Sequence, residues 1–163
     1  MGARYLRGTA RIDLVFQRLK MKKPRELQGY IDADYVGNLD QRRSMKGDVF
    51  TVAECVISWK AELQDTIALL TTEAEYMTAV ESSKEALWLR ELVETFGIMQ
   101  NSVWVHCDNQ SVIHLAKDHK YHKKTKHIDV RYHKIGQWVV DDKMIDLVKI
   151  SMKKNLADMR RRP

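Results

Sequence analysis

The sequence has little cysteine, no long apolar run and no serine-hydrolase motif. Its two cysteines, Cys55 and Cys107, form no CxxC pair, so neither a disulfide framework nor a thiolate zinc site is indicated. No apolar run approaches the roughly 20 residues that a membrane span needs, and we expect no membrane partner. No serine lies in a GxSxG sequence, which removes the support for a serine hydrolase. The cysteine usage fits a reducing compartment, and we expect a cytoplasmic or nuclear protein.

The composition describes one ordinary globular domain with an uneven charge distribution. The 163 residues are 44% apolar and 31% charged, with a net charge of +6. Residues 1–25 hold eight Lys/Arg against one acid, residues 117–134 seven against two, and residues 149–163 six against one. Three basic segments around an acidic body are expected of a polyanion binder, although each segment alone is typical of solvated surface. The Arg-rich start also allows a mitochondrial transit peptide, but it lacks the usual serine enrichment.

The stretch from Leu27 to Val36 alternates apolar and polar residues, which predicts a half-buried strand. Two acids, Asp32 and Asp34, lie on its polar face. Burying a bare carboxylate is costly unless a positive charge compensates it. The pattern therefore allows either a metal site or a solvated strand end.

Further elements follow from the same periodicities. Residues 36–47 read as a turn-rich loop in which Arg42, Arg43 and Lys46 can contact phosphates. The first half is predicted to be an antiparallel meander and the second half to alternate helices and strands. The predicted elements are strands at 48–60 and 66–70, a helix at 71–96 capped by Gly97, a strand at 103–107, a helix at 111–117, a basic loop at 118–126, a helix at 127–141, a strand at 144–150 and a short helix at 154–162.

Two further acids have an ordinary structural interpretation beside a functional one. Thr72 and Glu75 have the spacing of a capping box, so Glu75 is either a helix cap or a ligand. Asp108 follows a buried strand, which is where α/β sheets place ligands, but it is equally well placed as the N-cap of the next helix. Periodicity does not decide between these interpretations.

Six stretches of the chain carry a resemblance to a known family. They are YIDADYVGNLDQRRS, ISWKAELQDTIALLTTEAEYMTA, SKEALWLRELVETFG, VHCDNQSVIHLAK, TKHIDVRYHKI and NLADM. Together they resemble the ribonuclease H domain of copia-type LTR retrotransposon Pol polyproteins of plants. Residues 1–25 resemble the connection from reverse transcriptase, and residues 26–163 the domain itself with a shortened final helix, as in an isolated or domesticated fragment of Pol.

The resemblance implies a fold and an activity. The implied fold is α/β, a mixed five-stranded sheet whose first three strands are antiparallel, with helices on both faces. The implied activity is an endonuclease that cuts the RNA strand of RNA/DNA hybrids with two Mg²⁺ ions, for which Mn²⁺ substitutes. The implied catalytic and metal-binding acids are Asp32, Glu75, Asp108 and Asp158. Residues expected to contact nucleic acid are Arg42, Arg43, Asn109, Gln110, Lys123, Lys124, Lys126 and Arg131.

The sequence departs from the family pattern at several points. A Gly-Gly-type turn before ISW is replaced by Ala53-Glu54-Cys55, and no histidine lies in residues 150–155. The short final helix, which carries Asp158, is expected to be anchored mainly by Leu156, with Met159 as a second candidate. These departures keep a second hypothesis open, a weakly active or inactive domain that binds nucleic acid or a protein partner. An integrase-like nuclease would have its acids in the order Asp, Asp, Glu. The order here is Asp, Glu, Asp, Asp, and position 143, where the Glu of that class would fall, is Lys. The order of the acids therefore excludes that class.

Overall fold

The computed structural model describes residues 26–38, 43–118 and 134–158, and these form a mixed five-stranded sheet with helices. The strand order is β3-β2-β1-β4-β5. β1 pairs antiparallel with β2 and β2 antiparallel with β3, whereas β1–β4 and β4–β5 are parallel. This confirms the predicted sheet. The strands are β1 (Leu27–Asn38), β2 (Arg43–Val52), β3 (Cys55–Leu63), β4 (Val103–Cys107) and β5 (Ile145–Lys149).

The central strand β1 buries the apolar half of its alternating pattern. Leu27, Ile31 and Ala33 are all buried in the core. Gly29 lies opposite Phe50 on β2, and a Cβ at position 29 would lie 2.6 Å from Cε1 of the phenylalanine ring. The glycine therefore allows the Phe50 ring to cross β1, which keeps this part of the core close-packed.

The hairpin between β2 and β3 forms without the expected glycines. Val52 pairs with Cys55, so the loop consists of Ala53 and Glu54. Their φ angles are 51° and 64°, both in the left-handed region. Two-residue hairpin turns of this kind favour Asn-Gly or Gly-Gly because side chains with a Cβ are strained there. The replacement of a Gly-Gly-type turn by Ala53-Glu54-Cys55 thus gives a strained turn. It lies at the end of the sheet where β1 begins, since Val52 pairs with Leu27.

The helices of the described residues pack against the buried face of the sheet. They are α1 (Thr71–Thr95), α2 (Gln110–Lys117) and α3 (Lys134–Gly136), the last continuing into a π-helical turn over Gln137–Asp141. Ala74, Ala79 and Val80 of α1 are fully buried. Gly97, with φ of 77°, ends α1 as predicted. None of these helices has the length and apolar character that a membrane crossing requires.

Three predicted elements differ from the structure. Residues 36–38 and 43–47 of the loop expected over 36–47 are strand instead, because β1 runs to Asn38 and β2 begins at Arg43. Lys46 is consequently buried in β2 and ion-paired with Glu62 at 2.7 Å, so it does not face phosphates. Residues 66–70 are not a strand. Buried Gln64 ties this segment to α1, since its Nε2 donates to the carbonyl of Ala74 and the hydroxyl of Thr78.

The final helix predicted over 154–162 is absent in the part that the structure describes. A 3-10 helix spans Met152–Lys154, and a turn follows through Leu156 and Ala157 to Asp158. Residues 159–163 lie outside the described residues, as do residues 127–133 of the preceding predicted helix.

The sheet face opposite α1 carries Tyr30 and His106, whose rings stack with centroids 4.7 Å apart. Burial lowers the pKa of His106, so its ring is neutral at physiological pH.

Candidate active site

Asp108 lies between the end of β4 at Cys107 and the start of α2 at Gln110. The N-cap of α2 is Asn109, whose side chain accepts a hydrogen bond from the Ser111 N–H at 2.8 Å. Asp108 is therefore not the N-cap, and that interpretation of the sequence is wrong. The ammonium of Lys149 on β5 donates to the backbone carbonyl of Asp108, which holds this turn at the carboxyl end of the parallel strands.

Glu75 lies in the first turns of α1, where the sequence also allowed a capping box. The N-cap of this helix is Leu70, and no side chain caps the helix there. The nearby Glu73 stabilises the helix start instead, because its Oε2 accepts a hydrogen bond from the Leu69 N–H at 2.7 Å. The capping-box interpretation of Glu75 is therefore wrong. Of the two acids in this turn, Glu73 has the structural role.

The structure brings three of the four predicted acids to one crevice. Ligand atoms of Glu75, Cys107 and Asp108 all lie within 4.8 Å of one another. Asp32 lines the same crevice, together with side chains of the buried face. The lining is Ile31, Asp32, Ala33, Glu75, Thr78, Cys107 and Asp108. The carboxylate of Glu75 has interactions in the fold, but its Oε2 atom is buried and accepts no hydrogen bond.

The donor atoms of this crevice fit a hard divalent cation. Burial, together with the charges of Glu75 and Asp108, raises the pKa of Cys107 to about 12, so without a bound cation its sulfur is a neutral thiol. The remaining donors are carboxylate oxygens, which Mg²⁺ and Mn²⁺ prefer over nitrogen or sulfur. A buried carboxylate oxygen without a hydrogen bond is costly unless a cation or a donor satisfies it. The crevice thus has a set of donors that fits a hard divalent cation.

Asp158 is not among the residues that line the crevice. Its segment is held by Asn155, which is fully buried and donates from Nδ2 to the carbonyl of Ile31 at 2.8 Å. Leu156, the expected anchor, is 49% exposed, whereas Ala157 is buried. Sequence reasoning missed Asn155. The available signal was a polar residue in the stretch NLA, with the spacing that lets an Asn side chain accept from the N–H two residues on.

The predicted nucleic-acid contacts are described only in part. Arg43 is partly exposed at the start of β2, and Gln110 is exposed on the first turn of α2 beside His114. The Oδ1 atom of Asn109 is engaged in the helix cap. Arg42, Lys123, Lys124, Lys126 and Arg131 lie outside the described residues. The structure therefore tests none of these contacts.

Comparison with curated proteins gives extended matches, although no family model matches the chain. The chain is 46% identical over 156 residues, 96% of its length, to the retrovirus-related Pol polyprotein from transposon TNT 1-94 of Nicotiana tabacum. It is 30% identical over 161 residues to the retrovirus-related Pol polyprotein from transposon RE1 of Arabidopsis thaliana. The chain spans only 11% of the length of each polyprotein.

Solved structures that superpose on this chain include ribonucleases H. LC11-RNase H1, isolated from compost by a metagenomic approach, superposes with a TM-score of 0.58 at 19% identity, covering 82% of this chain and 91% of that one. The same enzyme in complex with an RNA/DNA hybrid gives a TM-score of 0.53, covering 80% and 89% of the two chains. At this identity the similarity shows the fold alone, and the predicted ribonuclease H fold is confirmed.

Proposed function

This chain belongs to the retrotransposon Pol polyproteins, as a segment with the ribonuclease H fold, and we propose that it is an endonuclease that hydrolyses the RNA strand of RNA/DNA hybrids. The observation that carries the proposal is the meeting of Asp32, Glu75 and Asp108 in one crevice. These acids come from a strand, a helix and a strand end that are far apart in sequence. Ordinary capping does not account for Glu75 or Asp108, because Glu73 and Asn109 have those roles.

The proposed metal ligands are Asp32, Glu75, Asp108 and Asp158, and the proposed cofactor is a pair of Mg²⁺ ions, for which Mn²⁺ substitutes. Carboxylates that converge without a cation repel one another, so the crevice favours cation binding. Bound divalent ions supply a water that is nucleophilic near neutral pH and neutralise the charge of the leaving oxygen. The chain's own part is to hold the carboxylates on rigid elements and to keep the Cys107 side neutral and apolar.

The proposed substrate is an RNA/DNA hybrid. A ribonuclease H of the same fold has been solved in complex with such a hybrid, which supports the proposal by analogy of fold. The phosphates would be held by the basic and polar set named from the sequence, and selectivity for RNA would come from its 2′-hydroxyls. That set is Arg42, Arg43, Asn109, Gln110, Lys123, Lys124, Lys126 and Arg131.

One observation favours a second candidate function, a weakly active or inactive domain that binds nucleic acid or a protein partner. Residues 155–158 form a turn rather than the expected helix, and Asp158 does not line the crevice with the other acids. A site that keeps three acids together and the fourth outside their crevice would still bind a hybrid. It would cut that hybrid slowly.

The test is cleavage of a labelled RNA/DNA hybrid by the pure protein in Mg²⁺, Mn²⁺ or EDTA. We expect metal-dependent cutting of the RNA strand, lost in Asp32→Asn and kept in the matched control Asp34→Asn, which alters the next acid on the same face of β1. Cutting that persists in EDTA or in Asp32→Asn would contradict the mechanism. Hybrid binding without cutting in either metal would support the second candidate.

A further inference from the structure

Asn155 is a fully buried polar side chain outside the set of acids, and it makes two hydrogen bonds of its own. Its Nδ2 donates to the carbonyl of Ile31 on β1 at 2.8 Å, across 124 residues of sequence. Its Oδ1 accepts from the N–H of Ala157 at 3.1 Å. A buried amide satisfied at both ends is specific in geometry, because losing either partner leaves a desolvated polar group.

These two bonds connect Asp158 to β1. The carbonyl that Asn155 binds belongs to Ile31, the residue directly before Asp32. On the other side, the Asp158 N–H donates to the carbonyl of Asn155 at 3.3 Å, and the Ala157 N–H bond closes the turn between them. The backbone of Asp158 is therefore fixed relative to Asp32 through one side chain.

The rest of this segment offers little alternative support. Leu156 is 49% exposed and Met152 50% exposed, so neither forms an apolar anchor. Ala157 is buried but contributes a single methyl group. The 3-10 helix Met152–Lys154 is one turn long and too short to hold a side chain in place by itself.

We propose that Asn155 is a positioning residue for the proposed metal site, which holds the turn of Asp158 against β1, at the residue before Asp32, through its bond to the carbonyl of Ile31. The inference rests on the proposed function, since it assigns Asn155 to the site of that activity. Groups that orient metal ligands in this way commonly change metal affinity by roughly 10–100-fold when they are replaced.

The variant that tests the hydrogen bond from Asn155 to the Ile31 carbonyl is Asn155→Asp. It keeps the acceptor for the Ala157 N–H and the size of the side chain but removes the donor to Ile31. The added negative charge attracts a cation, so its direct electrostatic effect on Mn²⁺ would raise the affinity rather than lower it. The matched control is Asn101→Asp, the same change at an exposed position.

The measurement is Mn²⁺ binding by electron paramagnetic resonance, with wild type, Asn155→Asp, Asp158→Asn and the double variant. We expect Asn155→Asp to weaken one bound ion by roughly tenfold, to about the level of Asp158→Asn, and to have no further effect in the Asp158→Asn background. A purely structural role would lower the unfolding temperature in both backgrounds and leave Mn²⁺ affinity unchanged. That result, or a loss that adds fully to that of Asp158→Asn, would overturn the proposal.

Two further outcomes are distinguishable. A wild-type chain that binds no Mn²⁺ overturns the metal-dependent function as well as this inference, whereas normal binding by Asn155→Asp overturns the inference alone.

If Asn155→Asp does not fold, the wild-type protein supplies the test by ¹⁵N NMR. The Asn155 side-chain amide and the Ala157 N–H should then shift with Mg²⁺ along the same titration curve as Asp158. Signals that stay in place at saturating Mg²⁺ would overturn the proposal.

Discussion

Two regions supply the four acids of the proposed site, and they hold those acids in different ways. Asp32, Glu75 and Asp108 are set by β1, α1 and the end of β4, which pack on one core. Asp158 is set by a turn whose buried contacts are Asn155 and Ala157. Moving one of the first three requires a shift of sheet or helix, whereas moving Asp158 requires a shift of a short turn. The comparison indicates that three of the proposed ligands are preorganised by the fold and the fourth by a local tether.

The largest expected difference between the regions is in catalysis. Asp108→Asn should lower the cleavage rate by roughly 100-fold or more, since a ligand worth several kcal/mol in the transition state is lost. Asp158→Asn should cost only about tenfold, because its backbone depends on a turn with few contacts. Single-turnover cleavage of a labelled hybrid in Mg²⁺ measures both. Equal losses would mean that the 155–158 turn is docked as firmly as the sheet, and the distinction between the regions would fail.

A smaller effect is expected at a buried acid that lies outside the crevice. Asp48 on β2 is 5% exposed, and its Oδ2 accepts a hydrogen bond from Ser82 on α1, while Oδ1 is buried without one. Burial raises the pKa of Asp48 above its usual range. Its folded pKa thus exceeds its unfolded pKa, so its favourable contribution to stability is fully present below the unfolded pKa. That contribution is lost as the pH rises through the folded value.

Asp48→Asn should therefore stabilise the protein by roughly 1 kcal/mol at neutral pH, because a charge no longer has to be desolvated. The gain should shrink as the pH is lowered toward the ordinary carboxyl range. Urea unfolding at pH 7 and near pH 4 measures the change, with the exposed Asp65→Asn as control. A gain that grows at low pH would show that Asp48 is stabilised as a carboxylate.

Much of the fold was predictable because its periodicities are clear. The alternation in β1, the helical spacing of α1 with Gly97 after it and the apolar stretch of β4 all lie where the sequence predicts them. The end of β1 at Asn38 and the start of β2 at Arg43 were not predictable, since RSMKG has turn composition and pairs only because β1 offers a ladder. Residues 66–70 have strand composition, but the contacts of Gln64 with α1 keep them out of the sheet.

The candidate site was likewise predictable only in part. Motif positions identified Asp32, Glu75 and Asp108, and the structure places them in one crevice. Whether Glu75 and Asp108 were caps could not be decided from the sequence, because Glu73 and Asn109 offer the same chemistry one or two residues away. The role of Asn155 depends on a carbonyl 124 residues earlier in the chain, which no local pattern reveals. The assignment of Leu156 as the anchor was wrong for the same reason.

The most direct test of the metal site compares two glutamates in one helical turn, Glu73 and Glu75. Mn²⁺ binding should be measured for Glu75→Gln and Glu73→Gln by electron paramagnetic resonance, with thermal unfolding recorded in parallel. The account predicts that Glu75→Gln binds Mn²⁺ more weakly than the wild type by roughly tenfold or more, which is typical of a lost ligand. Glu73→Gln should bind Mn²⁺ like the wild type and unfold at a slightly lower temperature, because only a helix-start contact is weakened. Equal Mn²⁺ affinity in the two variants would contradict the account.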